Sequence, residues 1–343
     1  MKAVTAVMDR PGVRLASLFL GLALFVAPSA RADVSLFATE LNVVAATDGI
    51  GHWRDVFGAQ RSSIGFESFG KRSGGRGDFL TWDLQIRLSH DSDESVGEAW
   101  GLEIHNAWLE YKLELGRNLR FGHFSPAFGL EPSVDTHGTL FQTLAARDIG
   151  FKKDWGVAYL SGLGPFDTRV ALQNGSGAPL DRRDGNHLAT VRLGTPLGRS
   201  SRAAVSLLAG RVLDARGART WPSPDNPEAV SKFRVGADAE HMAGPFRLSG
   251  EVTIGRDGSH DIVGALLWTD VTLPALRNVT VEAQGRLWSN DALRSGSRWT
   301  SVTLGASYRV ATHWTLRGLL DHEIEAPRRG DDRIALQLYY YGG

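Results

Sequence analysis

Along most of the chain, apolar and polar residues alternate one for one. In Leu80–Ser89, the positions Leu80, Trp82, Leu84, Ile86 and Leu88 are apolar, whereas Thr81, Asp83, Gln85, Arg87 and Ser89 are polar. Side chains of a strand point alternately to its two faces, so such a run gives one apolar face and one wet face. A helix would mix the two sets around its circumference. The same alternation recurs in Leu109–Leu115, Phe233–Ala239, Phe246–Ile254, Val279–Leu287 and Val302–Tyr308. Reading every such run predicts an all-β chain of about sixteen strands. They lie near 34–46, 61–70, 78–90, 102–115, 118–125, 148–160, 165–174 and 186–194, and then near 203–213, 230–242, 245–256, 260–272, 278–289, 298–310, 312–323 and 332–341. No helical stretch competes, beyond room for a short turn of helix in 138–147.

The connections have a rhythm of their own. Those after odd-numbered strands are mostly long and polar, as in Thr47–Gln60, Asp91–Gly101, Pro126–Arg147, Gly175–Gly185 and Asp214–Ala229. Those after even-numbered strands are mostly short, as in Gly116–Asn118, Ala243–Pro245 and Ala311–Thr312. An even number of antiparallel strands with alternating short and long connections predicts a transmembrane β-barrel, with short periplasmic turns and long extracellular loops. Closure matters, because an open sheet edge would leave backbone groups unpaired in lipid. A soluble sandwich shares the period of two, but sixteen long strands need two sandwich domains, and no Pro/Ser-rich linker separates them. The first 32 residues read as a cleaved export signal. Lys2, Arg10 and Arg14 precede an apolar core, Leu15–Ala27, which is followed by Ala30 and Ala32 in A-x-A spacing. That core is shorter than the roughly 20 residues of a spanning helix. The expected organisation is a signal at 1–32 and a barrel over 33–343, placed in the outer membrane of a Gram-negative cell among its lipid and lipopolysaccharide.

Composition narrows the function. Lys+Arg 38 against Asp+Glu 38 leaves no cationic surplus, which argues against nucleic-acid binding. With Cys 0 there is no disulfide framework, no thiolate chemistry and no covalent haem site. The charged residues of the wet face must then line the interior, since an Arg or Lys facing mid-bilayer lipid costs ~2–4 kcal/mol. The cations so placed are Arg87, Lys112, Arg120, Arg169, Arg192, Lys232, Arg234, Arg247, Arg286, Arg309 and Arg317. The anions are Asp83, Glu110, Glu114, Asp167, Asp238, Glu240, Glu251, Glu282 and Asp321. The two sets nearly balance, so charge counting predicts a mixed field, with many pairs bracing adjacent strands. The connection Pro126–Arg147 stands apart. It is long and carries Leu130, Val134, Leu140, Phe141 and Leu144. Folding inward would bury those side chains and narrow the lumen, presenting Glu131, Asp135, His137 and Arg147 to a solute.

These features together resemble the bacterial outer-membrane porins, which carry a constriction loop after the fifth strand. The run Leu119–Glu131 resembles the strand-then-loop segment of the phosphate-selective (polyphosphate-type) porin family. The resemblance implies a water-filled channel for passive diffusion of small hydrophilic solutes or ions, anions among them, and a homotrimer. The chain departs from the family in two respects: acids interleave with the interior cations, and Tyr341 is followed by Gly342 and Gly343 rather than ending the chain. No G-x-S-x-G, H-E-x-x-H or clustered ligand spacing suggests catalysis, so no enzyme, metal or cofactor is expected. A second class of function uses a porin-like barrel as the sheath of an electron conduit, with a multihaem cytochrome as partner. Lacking C-x-x-C-H, this chain would supply only the sleeve.

Overall fold

The computed structural model describes residues 34–47, 52–75, 77–92, 100–114, 116–134, 136–162, 164–196, 199–213, 228–292, 298–325 and 331–343. The export signal and Asp135 lie outside the described residues. Sixteen long antiparallel strands form the wall: β1 Val34–Thr47, β2 Gln60–Gly74, β3 Gly77–His90, β4 Trp100–Glu114, β5 Arg117–Phe124, β6 Asp154–Ser161, β7 Asp167–Gln173 and β8 His187–Gly194. They continue as β9 Ser201–Leu213, β10 Ala229–Ala243, β11 Phe246–Asp257, β12 His260–Thr272, β13 Val279–Ser289, β14 Arg298–Ala311, β15 Trp314–Glu325 and β16 Asp331–Gly342. Two short pieces, Trp53–Arg54 and Val56–Phe57, add to the sheet within the first long connection. Each strand pairs with its sequence neighbours. The sheet closes where β1 meets β16, from Thr39 opposite Gly342 to Ala46 opposite Ala335. Among the described residues, every long strand is paired on both sides.

The alternation resolves into an outside and an inside as expected for a membrane barrel. On β10, Phe233 is 53% exposed while the adjacent Arg234 is 0% exposed. Leu36, Leu207, Ile254, Leu267 and Leu304 share the exposed outer face. Glu40, Arg87, Asp238, Glu282 and Asp321 are buried on the inner one. Hairpin tips carry the glycines that this geometry needs: Gly244 and Gly258 take φ of 57° and 56°, which a side chain disfavours. The Gly258–Ser259 connection, on the long-loop end, is as tight as the turns at the other end.

Two strand ends depart from the alternation pattern. β2 runs on to Gly74, because Lys71 and Arg72 still pair with Thr81 and Leu80 of β3 and Lys71 binds Asp78 at 2.8 Å. β6 starts only at Asp154, although residues 148–153 alternate like a strand. There Ile149 and Phe151 are pulled inward against Phe128, Leu188, Leu208 and Val212, while a four-residue helix, α1 (Ala145–Asp148), precedes them. A period of two marks two environments. It does not say that both belong to the wall.

Candidate functional site

The connection from β5 to β6 occupies the barrel interior. Its Phe128 ring rests on Gly236 of β10, where a Cβ would come within 2.8 Å of the ring. Glu251 of β11 then gathers the two arms of the excursion: its carboxylate accepts the Leu130 N–H at 2.8 Å and the Leu144 N–H at 2.7 Å. Between these residues, Leu130, Leu140, Phe141 and Leu144 pack with Leu266, Trp268, Leu319 and Ala335 of the wall. The Phe141 ring lies nearly parallel to Trp268, with centroids 5.6 Å apart, and faces Gly305, which has no side chain to displace it. Burial of side chains of this size stabilises by about 2 kcal/mol each. The wall is therefore shaped to receive the loop.

Polar anchors fix the far end of the excursion on β1–β4. Gln60 Nε2 donates to the Thr136 and His137 carbonyls at 3.0 and 2.9 Å. The His137 ring meets Glu40 at 2.5 Å, and Arg87 bridges Glu40 at 2.9 Å and the His137 carbonyl at 2.9 Å. His105 joins them through a bulge. Gln85 pairs with Asn106 and Ile86 with Ile104, leaving His105 as the extra residue, with its ring centroid 4.0 Å from that of His137. Burial first, and then the Arg87 guanidinium, hold His137 well below the ordinary imidazole value. Further anchors include Arg234 to Asp148 at 2.7 Å, Arg169 to the Pro132 carbonyl at 3.1 Å, and Arg202 to the Ser133 carbonyl at 3.0 Å.

Open space remains on the opposite side, along β10–β16. A cavity of ≈ 270 Å³ faces the turn end, and one of ≈ 400 Å³ faces the long-loop end. Thr139 borders the first and Gln142 the second. Between them the Gln142 carbonyl accepts Gln284 Nε2 at 3.1 Å, so the loop itself is the partition. The turn-side cavity is lined by Arg247, Arg277, Arg309 and Arg317 with Asp270 and Glu282. The loop-side cavity is lined by Arg147, Lys232, Arg286 and Arg333 with Glu323. Among the described residues, eight cations and three carboxylates border these two spaces. Ion pairs brace the wall elsewhere, Arg120 with Glu110 at 2.6 Å, Arg192 with Asp238 at 2.5 Å, and Arg61 with both Asp91 at 2.9 Å and Glu103 at 2.7 Å, while beside the turn-side cavity Arg247 holds Asp270 at 2.6 Å.

The residues singled out in the sequence thus separate into groups. Arg147, Lys232, Arg247 and Arg286 border open cavities, as do Arg309 and Arg317. Glu131 accepts the Thr143 hydroxyl within its own loop, and His137, Arg87, Arg234 and Glu251 hold the loop to the wall. Arg120, Arg192, Glu110 and Asp238 form cross-strand pairs, and Lys112 lies 3.6 Å from Asp78. Arg169 sits beneath the loop at Pro132. Sequence reasoning missed Glu40 and Gln60 as anchors, and Arg277, Arg333 and Trp299 as cavity residues. The alternation of Glu40 and Asn42 with Leu41 and Val43 was a signal for the first; nothing in the local pattern distinguishes the others.

No protein-family model and no curated protein matches the chain. Solved structures do. An anion-selective porin from Comamonas acidovorans superposes with a TM-score of 0.61 at 14% identity, covering 91% of this chain and 99% of the porin. The outer-membrane channel DcaP of Acinetobacter baumannii gives 0.61 at 12%, covering 92% and 99%. Salmonella typhi OmpF, solved with daunomycin, gives 0.62 at 10%, covering 90% and 97%. At such low identity these likenesses establish the fold, and this chain has the closed antiparallel β-barrel architecture of the bacterial outer-membrane porins.

Proposed function

We propose that this protein is an outer-membrane channel through which small hydrophilic solutes diffuse passively, with a preference for anions. One observation carries the reading: the open spaces on both faces of the inward loop are bordered by eight cations against three carboxylates. In a narrow, low-dielectric passage, a cation surplus concentrates anions by focusing the field, even in a chain whose overall charge is balanced. The loop over 126–147, with its continuation to Lys153, sets the constriction, and Arg147 and Arg286 stand at its long-loop side. Arg247 and Arg317 stand at its turn side. Phosphate, which the likeness of Leu119–Glu131 to phosphate-selective porins implies, is one anion that such a stripe would pass. The apolar outer face would sit in lipid and lipopolysaccharide, the export signal would be removed, and copies would associate as a homotrimer. A multihaem cytochrome in the lumen is less well supported, because the chain's own loop packs across that space. The test is the zero-current potential of the purified protein in planar bilayers under a potassium chloride gradient. Anion preference is expected; a cation-preferring or silent barrel would overturn the proposal.

A further inference from the structure

The two cavities differ in what faces the cations. Around the turn-side space the neighbours are mostly hydroxyls, such as Thr272, Thr280, Ser307 and Thr315. Around the loop-side space they include Phe57, Leu140, Leu144 and Trp288, side chains already packed in place and at most 6% exposed. Two cations face that apolar surface in a fixed attitude. The Arg147 guanidinium lies 3.6 Å from the Trp299 ring centroid, and that of Arg286 lies 5.0 Å from the same ring. A guanidinium held against a ring keeps its N–H fork aimed in one direction, which suits a planar carboxylate. Three arginines here, Arg147, Arg286 and Arg333, share two carboxylates, Asp321 and Glu323, at 3.3 Å for Arg147 to Glu323 and 3.5 Å for Arg286 to Asp321. The group retains positive charge after internal pairing.

An inorganic anion gains nothing from the apolar part of this surface, and an uncharged apolar solute gains nothing from the arginines. A solute with a carboxylate at one end and a ring at the other uses both. At ≈ 400 Å³ the space is within the range of small-molecule sites. We infer that the loop-side cavity is a holding site for an aryl carboxylate. The carboxylate sits on Arg147 and Arg286, and the ring sits against Leu140 and Leu144. The inference rests on the anion-channel reading for its biological sense, and on the cavity alone for its chemistry.

Benzoate, acetate and gluconate are the probes. They carry the same charge, and only benzoate carries an aromatic ring. Calorimetry on the detergent-solubilised barrel and chloride-current block from the long-loop side are measured together. Benzoate is expected to bind about tenfold or more tightly than acetate, the difference reporting the buried ring. Arg286→Gln is expected to weaken benzoate by about tenfold, whereas Arg256→Gln, a change on the outer face, leaves it unaltered. Equal effects of the three anions, or none from any, would overturn the inference, and this comparison on the unmodified protein needs no variant to fold. The two readings fail separately. An anion-preferring barrel indifferent to benzoate loses the site and keeps the channel reading. A cation-preferring barrel that binds benzoate keeps the site and loses that reading.

Discussion

The β1–β4 wall and the β11–β16 wall of this barrel are built from the same kinds of residue and do opposite things with them. On the first, Glu40, Gln60, Arg87 and His137 are consumed in mutual contacts that hold the loop. On the second, Arg247, Arg286, Arg309 and Arg317 border open space, with fewer acids beside them. A charge paired in a buried contact holds position but projects little field, while one beside open space shapes what enters. The difference shows that a neutral total is compatible with a selective path. The inward charges are spread unevenly: cations gather beside the open space, and acids and cations meet in the contacts that hold the loop.

Three experiments test this contrast. The largest effect should follow deletion of residues 130–145, which removes the partition at Gln142 and joins the two cavities. Single-channel conductance should rise several-fold, in keeping with a lumen wide enough to hold water in barrels of sixteen strands; conductance equal to that of the intact protein would mean that solutes take another route. An intermediate effect is expected from charge reversal. Arg286→Glu combined with Arg317→Glu should turn the zero-current potential toward cation preference, whereas Arg192→Gln, on β8 and paired with Asp238, should move it far less. Equal responses would erase the distinction between the walls. The smallest effect concerns pH. Burial, and then Arg87, lower the proton affinity of docked His137, and in a released loop it would return toward 6.5. The released form therefore binds a proton that the docked form refuses, and docking weakens as pH falls below that value, by at most ~1.4 kcal/mol per pH unit. Current fluctuations should be larger at low pH than at neutral pH in the unmodified protein, and less pH-dependent in His137→Gln. Quieter currents in acid, or an identical response in the variant, would count against His137 as the titrating anchor.

Much of this could be read from the chain before its fold. All sixteen strands were legible, because lipid on one side and water or polar contacts on the other impose a period of two that survives for the length of each strand. The inward loop was legible too, since Leu130, Leu140, Phe141 and Leu144 form too apolar a set to stand in solvent. Residues 148–153 show the limit. Ile149 and Phe151 alternate with polar neighbours as they would in the wall, yet they belong to the loop, because a packed interior rewards burial regardless of which element supplies it.

Along each unbroken stretch of strand the linear pattern decided which side chains point in and which point out, because facing there follows parity; only the fold could reveal the bulge at His105, where parity breaks. Which inward charges are spent on each other and which border a passage was decided by the loop. Its course brings Glu251 to Leu130 and Leu144, and Glu40 to His137, across separations of about a hundred residues. Pairing is a matter of distances in space, and parity carries no information about them.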